Sequence, residues 1–276
     1  MGAMPFTPPS IIVGIDGSRA AVRAALWAVD EAVGRNLPLR LVAVAEAPGD
    51  RAGAETSAHA AAAAVEAAGR PVQLKAEVIS GAPTPALLES SRSAAMICVG
   101  DVGLKHFDHN RFGSTASALV ASAHCPVAVV RGGDRPPSAG PGWVIVELDQ
   151  TPDAAAVLQF AVEEARMREA PLRVVGTWQS DERDSHTVAE SGRMVRAQLD
   201  RRLEQWKHRY PDLDVVPVAV HGSGLRYLAD NAASTQLVVI GARNTAGIVE
   251  LLGPPGLAAL RDTDCSVLVV DRQRLL

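Results

Sequence analysis

The sequence predicts an α/β fold: two tandem Rossmann-like domains, each a five-stranded parallel sheet with helices on both faces. Three observations carry this reading. The 276 residues suffice for two domains of roughly 100–150 residues each. The chain repeats itself, since Leu26-Trp-Ala-Val-Asp-Glu-Ala32 returns as Gln159-Phe-Ala-Val-Glu-Glu-Ala165. Within each copy, short β-branched runs alternate with helical patterns, and those runs lack the polar alternation of a one-sided sheet, so they are strands buried on both faces.

Taken in order, Ile11–Val13, Leu39–Val44, Val72–Ile79, Ala95–Val99 and Val127–Val130 read as the strands of the first copy. Between them Ala20–Arg35, Glu55–Ala68, Pro85–Arg92 and Thr115–Ala123 read as helices. Ala60–Ala64 has strong helix propensity, and Pro83 and Pro85 suit a helix start, where the missing N–H costs nothing. The second copy repeats the order from Val144 to Val270. Pro38-Leu-Arg-Leu-Val42 returns as Pro171-Leu-Arg-Val-Val175, Ile97-Cys-Val-Gly100 as Val238-Val-Ile-Gly241, and Cys125-Pro-Val127 as Cys265-Ser-Val267. The second copy is thus longer mid-domain, and a helix from Ser185 to about Arg209 absorbs much of that gain. Between the copies, 132–142 is rich in Gly and Pro and has little to bury, which makes it a linker between domains at 9–131 and 143–273.

Composition narrows the function. A net charge of −4 leaves no basic surplus to hold a polyanion, so nucleic acid is not an expected partner. Cys98, Cys125 and Cys265 all sit in apolar runs, where free cysteine behaves as a small hydrophobe in a reducing compartment. The apolar stretches are strand-length, and the first ten residues lack the basic and apolar regions of a leader, so the reading is cytoplasmic with no membrane partner. There is no Gly-x4-Gly-Lys-Ser/Thr loop, no Gly-x-Gly-x2-Gly run, no His-Glu-x2-His, no Gly-x-Ser-x-Gly elbow and no Cys-x2-Cys. Without an evident general base, hydrolysis of a nucleotide is expected to be slow or absent.

Open parallel sheets bind ligands beyond the carboxyl ends of their strands, where the winding direction switches. Here the loop after the first strand is Gly14-Ile15-Asp16-Gly17-Ser18. The loop after the fourth is Gly100-Asp-Val-Gly103, then nine residues, then Gly113-Ser114-Thr115 opening a helix. Glycines let backbone amides approach a phosphate chain, and the free N–H groups of a helix start favour an anion. Ser114 adds a hydroxyl, and Asp16 on the opposite lip can accept from a ribose hydroxyl or a base amino group. A plainer reading also holds: Asp16 and Ser18 suit N-capping, and Gly100 and Gly103 suit a turn after a strand.

The Gly-x2-Gly-x9-Gly-Ser spacing after a fourth strand, the early Gly-Ile-Asp-Gly-Ser and the Ala-His-Cys-Pro-Val lead into the last strand resemble the ATP-binding type of the universal stress protein family. The resemblance spans essentially the whole chain, twice. It implies domains of the adenine nucleotide alpha hydrolase-like type with strand order 3-2-1-4-5, pairing through their last strands as an intrachain pseudo-dimer, a possible homodimer, and a cytoplasmic role in stress or dormancy. It further implies ATP, with magnesium, as ligand. Asp16, with Gly17 and Ser18, contacts the adenosine part, and Val44 lines the adenine pocket. Gly100, Gly103, Gly113 and Ser114 hold ribose and phosphates, with Thr115 beside them. Hydroxyls of this loop are phosphorylated in some relatives, which makes Ser114 and Thr115 candidate acceptors.

The second copy departs from this pattern. Glu147 stands for Gly14, Gln150 for Gly17 and Thr151 for Ser18, while Asp149 stays opposite Asp16. Its loop reads Gly241-Ala-Arg-Asn244, eight residues, then Gly253-Pro254-Pro255. Asn244 can replace a glycine at positive φ and Arg243 can offset the charge of Glu147, but Pro254 removes both an amide and a hydroxyl. Nucleotide is therefore expected in the first domain alone. That domain's own insert, Leu104–Phe112, is bulky; its Lys105, His106, His109 and Arg111 either neutralise phosphates or close the pocket. His106, Asp108 and His109 in a polar loop read as solvated surface rather than a metal site. The reading is an ATP-binding regulator with an unidentified protein partner, nucleotide ordering the 101–112 loop; the alternative is a non-nucleotide interaction scaffold, and a slow ATPase or autophosphorylating protein comes third.

Overall fold

The computed structural model describes residues 9–103, 113–132, 142–149, 151–179, 185–260 and 263–271, with the backbone alone at 185–188. The chain divides into two compact units, the first running through Arg131 and the second starting at Gly132. Most of the stretch read as a linker, and the whole 104–112 insert, lie outside the described residues.

The first unit runs β1 (Ser10–Ile15), α1 (Arg19–Arg35), β2 (Leu39–Ala45), α2 (Arg51–Ala67), β3 (Leu74–Ser80), α3 (Pro83–Ser90), β4 (Ala94–Gly100), α4 (Ser114–Ser122) and β5 (Val127–Val130). Its strands lie in the order β3-β2-β1-β4-β5. Every neighbouring pair is parallel, with Val13 opposite Leu41 on one side and Cys98 on the other. Ile11, Ile12 and Val13 are fully buried, as befits a central strand covered on both faces. Helices α1 and α2 pack on one another, as do α3 and α4, giving the two helical layers. Cys98 is buried within β4, and Cys125 and Cys265 are buried just ahead of the last strand of each unit.

Helix α2 begins four residues ahead of the expected Glu55. A short 3-10 turn at Pro48–Asp50 leads into it, with the Asp50 side chain accepting from Ala47 N–H at 3.0 Å, so Gly53 is carried inside the helix. The propensity cost of that glycine is smaller than the gain from a pre-formed first turn.

The second unit repeats the plan as β6 (Trp143–Glu147), α5 (Ala154–Met167), β7 (Leu172–Trp178), α6 (Ser185–Arg209), β8 (Val215–His221), α7 (Gly224–Asn231), β9 (Thr235–Gly241), α8 (Thr245–Leu252), α9 (Pro254–Ala259) and β10 (Ser266–Val270). Its order is β8-β7-β6-β9-β10, again parallel. Two helices, α8 and α9, occupy the stretch that reads from sequence as a glycine loop. Asn244 is the reason: it caps α8 by accepting from Gly247 N–H at 3.0 Å, and its φ of −77° is ordinary, so it does not stand in for a left-handed glycine.

The repeat also preserves a buried charge. Glu31 and Glu164, at matching places in α1 and α5, are fully buried, and each pairs one turn on with an arginine: Arg35 at 3.2 Å and Arg168 at 3.1 Å. Arg168 is itself only 8% exposed, so the pair is held out of water on both sides. Removing one partner of a buried pair leaves an uncompensated ion. Glu164→Ala is expected to lower stability by about 3–5 kcal/mol, read as a fall in the urea midpoint, with Glu164→Gln costing less because it keeps the volume and an acceptor.

Candidate functional site

In the first unit β1 is the switch strand, because the chain winds outward through β2 to β3 on one side and through β4 to β5 on the other. The helices leaving its two neighbours diverge, which opens a cleft of about 840 Å³ at the carboxyl ends of the strands. That is the size range of a small-molecule site. Eight of the nine residues singled out from sequence line it: Asp16, Ser18, Val44, Gly100, Gly103, Gly113, Ser114 and Thr115. Gly17 does not; it supplies the positive φ, +87°, that turns the chain into α1.

The glycines have different reasons to be glycine. A Cβ on Gly100 would lie 2.7 Å from the Ala20 Cβ and 2.8 Å from its carbonyl carbon, so this residue allows α1 to lie directly on β4. A Cβ on Gly103 would lie 2.6 Å from Asp16 Oδ2, so the two lips of the cleft meet there. Gly113 is under no such constraint: its nearest neighbour would be 3.6 Å away, its φ is −56°, and its N–H already donates to the Asp101 carbonyl at 2.8 Å. It is the N-cap of α4 rather than an amide donor aimed at a ligand. The unpaired helix-start amides belong instead to the turn that begins at Ser114 and Thr115, where the dipole favours negative charge.

On the opposite lip, capping and ligand-facing roles coincide. Ser18 Oγ accepts from Ala21 N–H at 3.1 Å as the N-cap of α1, and Asp16 Oδ1 accepts from Ser18 N–H at 2.9 Å. This fixes the Asp16 carboxylate with Oδ2 toward Gly103. The floor is apolar, from Val42, Val44, Leu87 and Val99. Sequence reading missed the wall built by Glu46, Asp50 and Ser57, which follow β2, and by Thr84 and Leu87 of α3. The available signal was position alone, since these residues follow strand ends but form no motif. Among the described residues the cleft is lined by three carboxylates, Asp16, Glu46 and Asp50, and by no lysine or arginine.

Among the described residues of the second unit a cavity of about 30 Å³ is bordered by Glu147, Gly224, Gly247 and Glu250 among others. Glu147, in the place of Gly14, puts its carboxylate where a Cβ on Gly224 would be, 2.7 Å from Oε2, and Thr177 Oγ1 donates to its Oε1 at 3.4 Å. Burial pushes the Glu147 pKa above the ordinary carboxylate value, and the charges of Glu250 and Asp149 act the same way, against the Thr177 hydrogen bond. Arg243 does not offset this charge; it is engaged with Asp153 at 2.8 Å. Pro254 opens α9, where its missing N–H is tolerated. The Asp149 turn survives, with Thr151 N–H donating to Asp149 Oδ1 at 2.9 Å, but α5 opens at Asp153 without a side-chain cap.

Two doubly wound parallel units, the first with an open cleft at its switch point, define a tandem α/β architecture. The family model described as the universal stress protein family matches residues 9–131 and again 144–271. The chain is 44% identical over 280 residues to universal stress protein Rv2028c of Mycobacterium tuberculosis, covering 97% of this chain and 98% of that one. It is 42% identical over 274 residues to universal stress protein Rv2624c of the same organism, covering 96% and 97%. Among solved structures, a universal stress protein from Archaeoglobus fulgidus shares the fold with a TM-score of 0.66 at 16% identity, covering 97% of each chain. The chain belongs to the universal stress protein family. No helix among the described residues is long and apolar enough to cross a membrane.

The steric distinctions among the glycines are measurable. Gly100→Ala, which meets backbone, is expected to cost about 1–3 kcal/mol, and Gly113→Ala, which loses only the N-cap preference for glycine over alanine, about 0.5–1 kcal/mol, from denaturant midpoints at unchanged slope. Equal costs would mean that α1 does not bear on β4 as described.

Proposed function

We propose that this protein is an ATP-binding regulator of a stress or dormancy response, with one nucleotide per chain in the cleft of the first unit and magnesium accompanying the phosphates. The observation that carries the reading is the cleft of about 840 Å³ at the first unit's switch point, which brings together Asp16, Ser18, Val44, Gly100, Gly103, Gly113, Ser114 and Thr115. In this reading the base lies over the apolar floor of Val44 and Leu87, and Asp16 accepts from the adenosine part. Gly100 and Gly103 hold α1 and the Asp16 lip beside the ribose and phosphates, and the first turn of α4, with the Ser114 and Thr115 hydroxyls, receives the negative end. A cation suits this cleft, since it would offset three lining carboxylates as well as the phosphates. The nucleotide regulates by favouring whichever conformation closes the two lips around it.

The acidic lining favours a second reading, a tandem scaffold that takes no nucleotide and acts through protein contacts. Titration calorimetry of the full chain with ATP and magnesium separates the two. The expected result is saturable binding near one per chain. Ser114→Pro is the matched variant, because Gly113 already has the extended ψ of 148° that precedes a proline and a proline at the first helical position is well tolerated. It removes one amide and one hydroxyl and is expected to weaken binding by roughly tenfold or more without moving the denaturant midpoint. A folded protein that ignores millimolar ATP selects the scaffold reading.

A further inference from the structure

In the second unit two carboxylates face one small cavity. Glu147 ends β6; Glu250 lies on α8, and both border the same space of about 30 Å³. Glu250 is tethered to the far side, its Oε1 accepting from Ser223 Oγ at 2.6 Å. Helix α8 is lightly anchored: Leu251 is its one buried residue, Val249 is 71% exposed, and it rests on α7 and α9.

We propose that Glu147 and Glu250 form a proton-dependent latch, in which an uncharged Glu147 lets α8 close over the second sheet and an ionised Glu147 drives α8 away. The groups that bear on Glu147 come from each neighbouring element. From its own chain end comes the Asp149 carboxylate; from β7 the Thr177 hydroxyl; from α7 the Gly224 Cα and the positive end of that helix; from α8 the Glu250 carboxylate. Thr177 and the helix start favour the ionised form, and burial with the two carboxylates opposes it more strongly, in keeping with the raised pKa. Two cations of this end of the unit are engaged elsewhere, Arg243 with Asp153 and Arg202 with the Asp149 carbonyl.

The sign follows from linkage. In the proposed open form Glu147 is hydrated and its pKa returns toward the ordinary carboxylate range. The closed form holds the proton to higher pH, so closure is fully stable below that range and is weakened by up to tenfold per pH unit between it and the raised value. Above the raised value closure stays at its weakened level. The latch acts in the second unit and stands whether or not the first holds nucleotide.

Hydrogen–deuterium exchange of the 245–252 amides in the full chain, corrected for the intrinsic pH dependence of exchange, tests this. Protection is expected to fall by more than twofold from pH 5 to pH 8, while the α5 amides at 154–167 hold theirs. Glu147→Gln, uncharged at both pH values, is expected to keep its pH 5 protection at pH 8. Glu250→Gln, at a half-buried position, removes the opposing charge and is expected to shrink the pH effect, which keeps the test open if Glu147→Gln fails to fold. Protection of 245–252 within twofold across this range in the wild type, an unchanged pH effect in either folded variant, or an equal loss in α5 overturns the proposal.

Discussion

The contact between Gly100 and Ala20 underlies the first unit's architecture at its working end. Because Gly100 has no side chain, the first turn of α1 can lie against the last residue of β4. That contact sets where the chain enters α1, and with it the turn in which Gly17 takes its positive φ and Ser18 caps the helix. The same turn aims Asp16 at Gly103, so a close approach in the hydrophobic layer fixes the polar lips of the cleft. A larger residue at 100 would displace α1 as a rigid element, since interiors of native density transmit strain rather than absorb it.

From one repeated pattern, the two units reach opposite outcomes through few residues. Gly14 leaves its strand end flush with Leu87 and Val99, whereas Glu147 projects a carboxylate toward the start of α7. Asn244 then starts α8 at the position that matches Gly103 in sequence, and α9 follows from Pro254. The scaffold that surrounds both is the same, down to the buried Glu31–Arg35 and Glu164–Arg168 pairs. Such duplication frees one copy to carry a site and the other to vary, because the sheet's stability rests on strand pairing and on buried apolar faces that neither change touches.

The repeat, the strands and the cleft residues were legible because each depends on local spacing. Glycines at strand ends, a Ser or Asp ahead of an alanine-rich run and β-branched tracts all report geometry that neighbouring residues impose. The wall of Glu46, Asp50 and Ser57 was not legible, since facing a cleft depends on the angle at which α2 leaves β2. Nor was the burial of Glu31 and Glu164, which in sequence are ordinary charges on amphipathic helices beside an arginine one turn on. The helical state of 245–252 was hidden by its likeness to the glycine loop of the first copy; its apolar run and its Asn cap argue for helix only when the loop precedent is set aside.

Sequence periodicity therefore determined the fold class, the duplication and the end of the sheet where a ligand belongs, since hydrophobic pattern and turn chemistry act over a few residues. Tertiary structure decided the shape of the first unit's cleft, which glycines are needed for packing rather than for a ligand, and the upward direction of the Glu147 pKa. Those properties depend on distances between residues far apart in the chain, such as Gly103 and Asp16 or Glu147 and Glu250, and on the exclusion of water that only the assembled layers impose.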